Sequence, residues 1–229
     1  MSVSYRDTSR PIGNEAILVV EGDDEFHLLI RLLKREGLEG RIDIRPPYQG
    51  VAELGVYLPE VLAKTSGFRD VRRLGVLRDA EEGGIEDALR SVSAALTSVF
   101  RSAKLTHCGR FETVDIGPQQ RVHVGAFISV PCLEGLCLAP ARMGADPAMP
   151  CVEAYLECLA AHVTDSTQAQ RLKRRLYAFL ASRSDPRLRP GQAADANYID
   201  LSDPCWQPLK DFLNELAGGE SWRKDSTRC

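Results

Sequence analysis

The chain has 229 residues, of which 44% are hydrophobic and 27% charged, and its formal net charge is −3. That length is enough for one full core, or one core with a small appendage, and the composition excludes a disordered, collagen-like or disulfide-dense chain. The acidic balance argues against a dedicated nucleic-acid coat, which is strongly basic, but not against an enzyme that meets phosphate through metal ions and local arginines. Seven cysteines stand at 108, 132, 137, 151, 158, 205 and 229, with no CxxC pair, and residues 1–15 carry no apolar signal-peptide core. They are expected to be reduced thiols of a cytoplasmic protein. A zinc site of Cys108, Cys132 and Cys137 with His107 or His123 has poor ligand spacing. No apolar run approaches the ~20 residues of a membrane span.

In chain order, AILVV at 16–20 is a short β-branched run, the pattern of a strand buried on both faces. Glu21-Gly22 ends it. DDEFHLLIRLLKREG then predicts a helix, with Asp23 or Asp24 as cap, Phe26, Leu29, Ile30 and Leu33 at helical spacing, and Gly37 as the stop. RIDIRP at 41–46 predicts a second strand, and residues 50–64 a helix interrupted by Gly55 and Pro59. VRRLGVLRD at 71–79 predicts a third strand, 80–84 a turn, and 85–103 a long amphipathic helix. Residues 106–120 read as a hairpin or a loop, and RVHVGAFISV at 121–130 as a fourth strand stopped by Pro131. Strand and helix thus alternate, which implies a mostly parallel α/β sheet of about four to five strands joined by right-handed crossovers. Past about 132 the pattern becomes helical: 151–162, 167–182 and 206–216, with a Pro-, Asp- and Arg-rich loop before the last and a mobile tail after it. The expected organisation is a Rossmann-like core at 1–140 and a C-terminal helical segment at 141–229 packed on it.

Acids gather at the strand ends. Glu21 follows the first strand, Asp79 ends the third with Glu81 two residues on, and Glu134 comes shortly after the fourth. In a parallel sheet these positions share the carboxyl edge, where such sheets bind ligands. Carboxylates held close raise each other's pKa, and a hard cation such as Mg²⁺ removes that penalty. Each acid also has an ordinary reading: Asp23, Asp24 and Asp79 as helix caps, Glu81 and Glu82 as a solvated turn, Glu134 as a helix-start acid.

VVEGDDEF, LGVLRDAEEGG and ISVPCLEGLCL resemble, in order and on the expected elements, the motifs of the TOPRIM domain, in particular that of proteins related to the OLD-family nucleases. YQG at 48–50 resembles the small turn after the second strand of these domains. Two positions depart from the pattern: the second acid of Asp-x-Asp is Glu81, and the segment that usually reads Leu-Glu-Asp has Gly135 in place of the final acid. The resemblance covers about residues 16–140 and extends loosely to 216. It implies a TOPRIM-like fold and a Mg²⁺- (or Mn²⁺-) dependent phosphodiesterase acting on DNA or RNA. Glu21 would be a metal ligand or general acid/base, Asp79 and Glu81 metal ligands, and Glu134 a ligand to a second metal. Glu25, Gly22 and Gly50 would support them.

Among the basic residues, Arg78 beside Asp79 and Arg171, Arg174 and Arg175 in RLKRRLYAFL are candidates for phosphate contact, against the plainer reading of a solvated helix face. His27, Trp206 and Phe212 read as packing residues. The chain has no GxxxxGK[ST] motif, so no ATPase partner region is expected in it. Two other functions fit the residues: a non-catalytic TOPRIM-like binding or regulatory module, and a phospho-receiver domain, the latter opposed by the lack of Lys-Pro after the fourth strand.

Overall fold

The computed structural model describes residues 10–45, 51–117, 120–165 and 167–219. The proposed tail from 220 onward and Gly50 lie outside the described residues.

The sheet follows from the four apolar runs and one more strand. β1 (Ala16–Val19) carries β-branched and apolar residues that are all buried, as a central parallel strand requires. Beside it lie β2 (Asp43–Ile44), shorter than the predicted run, and β3 (Arg73–Asp79). β5 (Gln120–Ser129) pairs in parallel with β3. The stretch left open as hairpin or loop forms β4 (Phe111–Gly117), antiparallel to β5 and the one departure from parallel order. The five strands run in the order β2-β1-β3-β5-β4. This is the mixed α/β, mostly parallel, Rossmann-like sheet that the alternation of elements predicts.

Nine α-helices are described. α1 (Asp23–Arg35) joins β1 to β2, α2 (Val51–Glu60) leads back toward β3, and α3 (Gly84–Thr97) follows β3. After β5 come α4 (Leu133–Leu138), α5 (Ala141–Gly144), α6 (Met149–Ala160), α7 (Gln168–Ala181), α8 (Pro190–Asp195) and α9 (Gln207–Leu216). α8 falls in the segment predicted as loop. It starts with Pro190 and stops within two turns, too short to show a helical repeat in sequence. The expected side-chain cap of α1 is also absent: Gly22, in extended conformation, is its N-cap, and Asp23 and Asp24 stand inside the first turn. Thr167 does cap α7, its Oγ1 accepting from Gln170 N at 3.1 Å.

Strand alternation divides the core between the two faces of the sheet. Ile17, Val19, Leu74, Val76, Val122, Val124 and Ala126 pack under α2 and α3. Leu18, Val20, Leu77 and Phe127 pack with α1 and with the helices from α4 to α9, including Phe179, Trp206, Phe212 and Leu216. The contact is close where glycine permits it: a Cβ on Gly75 of β3 would lie 3.0 Å from Leu216 and 3.1 Å from Phe212 of α9. No described helix is long and apolar enough to cross a membrane. Cys132, Cys137, Cys151, Cys158 and Cys205 are free thiols. Cys108 is disulfide-bonded, which departs from the expectation of seven reduced thiols.

The connections place the site. From β1 the chain passes outward to β2, then returns over β1 to β3 on its other side. Chain direction across the sheet reverses there, so the carboxyl ends of β1 and β3 border a crevice. Glu21 and Asp79 stand at those two ends.

Candidate metal centre

A cavity of about 290 Å³ opens at this switch point, lined by Glu21, Gly22, Asp23, Asp24, Glu25, Asp79, Glu134 and Lys173. Four elements supply the acids. β1 delivers Glu21, and the first turn of α1 delivers Asp23, Asp24 and Glu25. β3 ends in Asp79, and α4 presents Glu134 one residue after its start. The end of β3 and the start of α4 are tied together: the Asp79 Oδ1 accepts from Leu133 N at 2.8 Å.

Burial and mutual repulsion set the electrostatics. Asp79 is 5% exposed, and burial, followed by the nearby charges of Glu25 and Glu134, pushes its pKa up to about 8. Burial likewise raises Glu25 to about 7, with Glu134, Glu21 and Asp24 adding to the rise. Glu21 is raised, chiefly by burial, although Arg78 opposes the shift. Three buried carboxylate oxygens, Glu21 Oε2, Asp24 Oδ1 and Glu134 Oε2, accept no hydrogen bond. The compensating charge is Lys173 on α7, whose Nζ lies 3.8 Å from Asp79 Oδ2.

Gly22 is small for a local reason. A Cβ there would lie 2.4 Å from Glu25 Oε2, so the glycine leaves room for Glu25 to fold back over the start of its own helix. Gly135 has a comparable explanation. A Cβ at 135 would meet Leu172 of α7 at 3.2 Å, so the third residue of Leu-Glu-Gly packs against α7.

The structure brings Glu21, Gly22, Glu25, Asp79 and Glu134 to one cavity. Glu81 stands apart from its lining. It is exposed with a φ of 49°, and its N–H donates to Pro131 O at 2.9 Å, which fixes the turn outside the crevice. Its charge still reaches Glu21. Arg78 is 7% exposed, lies on the Glu21 side, and its Nε and Nη1 have no hydrogen-bond partner. Of the basic run on α7, Arg174 is held by Asp165 at 2.6 Å and Arg175 by Glu153 at 2.5 Å, while Arg171 is exposed.

Sequence reasoning did not connect four side chains to the acids. Lys173 and Tyr177 are one helical turn apart on α7 and both face the crevice; the Tyr177 hydroxyl donates to Asp24 Oδ2. Arg189 at the start of α8 lies 3.7 Å from Asp24 Oδ1. The four-residue spacing of Lys173 and Tyr177 is the signal that marks them as one face. The fourth is Cys132, whose Sγ is within 4.8 Å of ligand atoms of both Asp79 and Glu134. The zinc arrangement weighed from sequence is replaced by this set: among the described residues, Cys132 groups with two acids and no histidine.

Fold and site together define an α/β protein with an acidic crevice at the switch point of a mostly parallel sheet. The chain belongs to the family described as Protein of unknown function (DUF3226), whose model matches residues 15–218 and so takes in every element from β1 to α9. No significant match was found among curated proteins or among solved structures.

Proposed function

We propose that the crevice is a divalent-cation site and that the protein is a metal-dependent phosphodiesterase of TOPRIM type, acting on DNA or RNA. The observation that carries this reading is the meeting of Glu21, Glu25, Asp79 and Glu134 in one cavity, with buried carboxylate oxygens that no donor satisfies. Such groups retain protons near neutrality unless a cation takes the oxygens as ligands. Asp79, Glu134 and Glu21 would hold Mg²⁺ (or Mn²⁺), with Glu25 alongside. When bound, the metal supplies positive charge for a phosphoryl oxygen and a more acidic water.

The chain's own groups provide the remainder. Lys173, half exposed and already facing Asp79, is suited to bind a phosphate oxygen. Glu25, with a pKa near 7, is suited to hold or move a proton at working pH. Arg189, exposed and beside Asp24 of the crevice, adds phosphate affinity, whereas Arg174 and Arg175 are held by Asp165 and Glu153.

One observation favours a second reading. The Lys173–Asp79 pair is an internal counter-charge that partly relieves the acids without metal. This is what a non-catalytic TOPRIM-like module that binds an anionic partner requires. Calorimetric titration of Mg²⁺ and Mn²⁺ into wild type and Asp79→Ala, followed by cleavage assays on DNA and RNA, separates the two. Saturable binding lost in the variant, with metal-dependent cleavage, supports the enzyme. Absence of binding of any divalent ion, Zn²⁺ and Co²⁺ included, supports the module.

A further inference from the structure

We propose that the cation of this crevice is thiophilic, of the Zn²⁺ and Co²⁺ class, and that Cys132 Sγ is a protein ligand beside Asp79 and Glu134. This rests on the crevice being a divalent-cation site and replaces Mg²⁺ (or Mn²⁺) as its occupant with a thiophilic ion.

Ligand atoms of Asp79, Cys132 and Glu134 all lie within 4.8 Å of one another, and all three residues are buried. Donors on a four-coordinate zinc stand roughly 3.5 Å apart, given metal–oxygen distances of about 2.0–2.2 Å and metal–sulfur of about 2.3 Å. Contraction of about 1 Å therefore closes the set, a shift within reach of side-chain torsions. Glu134 points to a ligand independently: the residue is 7% exposed and its Oε2 has no partner.

The placement of Cys132 differs from that of an ordinary core cysteine, which packs among apolar groups. Cys132 is fully buried at the N-cap of α4. Yet its sulfur lies among polar groups, close to the carboxylates of Asp79 and Glu134 and 3.9 Å from Ala169 O. Cys137, equally buried on the next turn of α4, is outside the donor set and provides an internal contrast. Mg²⁺ demands an octahedron of oxygens and gains little from sulfur. Two carboxylates, one thiolate and an open side toward the cavity match instead the three-ligand plan of a catalytic zinc site.

The test uses the full chain with Co²⁺ and Zn²⁺ as probes. Co²⁺ should produce a near-ultraviolet thiolate-to-metal charge-transfer band, abolished in Cys132→Ser and retained in Cys158→Ser, which removes an exposed thiol. Zn²⁺ should displace Co²⁺, excess Mg²⁺ should not, and Cys132→Ser should weaken Zn²⁺ binding by at least about 10-fold. X-ray absorption of the wild-type Zn²⁺ complex should show one sulfur in the coordination shell, a readout that does not depend on any variant folding. Saturable Co²⁺ binding lost in Asp79→Ala but lacking the band, or a zinc shell of oxygen and nitrogen alone, overturns the role of Cys132 and leaves the cation site standing. No binding of any divalent ion overturns both.

Discussion

Asp79 Oδ1 accepts a hydrogen bond from Leu133 N at 2.8 Å, across 54 positions of sequence. Through it the carboxylate at the end of β3 fixes the start of α4 and so the position of Glu134. One residue therefore serves structure and site, and substitutions can separate the two. At pH 5, where Asp79 is protonated, Asp79→Asn keeps an acceptor for Leu133 and should leave stability nearly unchanged. Asp79→Ala removes it and should cost about 1 kcal/mol. Both should lose divalent-cation binding. Urea unfolding and calorimetry on the two variants check this.

The raised carboxyl groups make stability fall with pH. Asp79, near 8, and Glu25, near 7, hold protons in the folded state that the unfolded chain releases at ordinary carboxylate values near 4. The folded state therefore binds more protons between about pH 4 and pH 8, and stability declines across that window. Metal-free protein should lose on the order of 6 kcal/mol between pH 5 and pH 8, and Asp79→Asn should recover much of the loss at pH 8. Urea midpoints at the two pH values measure it; a midpoint that rises with pH contradicts the assignment.

Lys173 competes with a cation for Asp79. Lys173→Met should raise divalent-cation affinity severalfold, because it removes a like charge 3.8 Å from Asp79 Oδ2. The same change should weaken binding of a short phosphodiester and reduce cleavage. Calorimetry of metal and of oligonucleotide, performed separately, reads the two opposite effects.

Two glycines carry packing predictions of different size. A Cβ at Gly191 of α8 would lie 2.9 Å from the backbone carbon of His27 on α1, where neither helix can yield easily. Gly191→Ala should cost about 1–3 kcal/mol. Gly135→Asp, which supplies the acid that the TOPRIM-like pattern carries, meets only the flexible end of Leu172. It should cost about 1 kcal/mol and bring no gain in metal affinity, because that position packs against α7. Thermal unfolding and metal titration of both variants test the pair.

Much of the architecture is written locally. AILVV and VRRLGVLRD are strands because β-branched and apolar runs of that length bury both faces of a parallel sheet. α1 shows its apolar face at helical spacing, and Thr167 announces the start of α7. The acids at strand ends are equally visible, since position relative to a strand end is a sequence property and parallel order places those ends on one edge. The run to β4 and the short α8 were not legible. β4 is an exposed edge strand whose partner defines it, and α8 is too short to repeat.

The sequence by itself determined the parallel α/β plan and the candidate acids, because both depend on neighbours along the chain. Tertiary structure alone decided which groups meet. The switch point between β1 and β3 made the crevice; the turn pinned by the Glu81 N–H on Pro131 O left that acid exposed outside its lining. The close approach of α7 over α4 brought Lys173 to Asp79 and filled the space at Gly135. Cys132 joined two carboxylates for the same reason: one hydrogen bond from Leu133 draws the start of α4 onto the end of a strand more than fifty residues earlier, and no local pattern records a contact of that range.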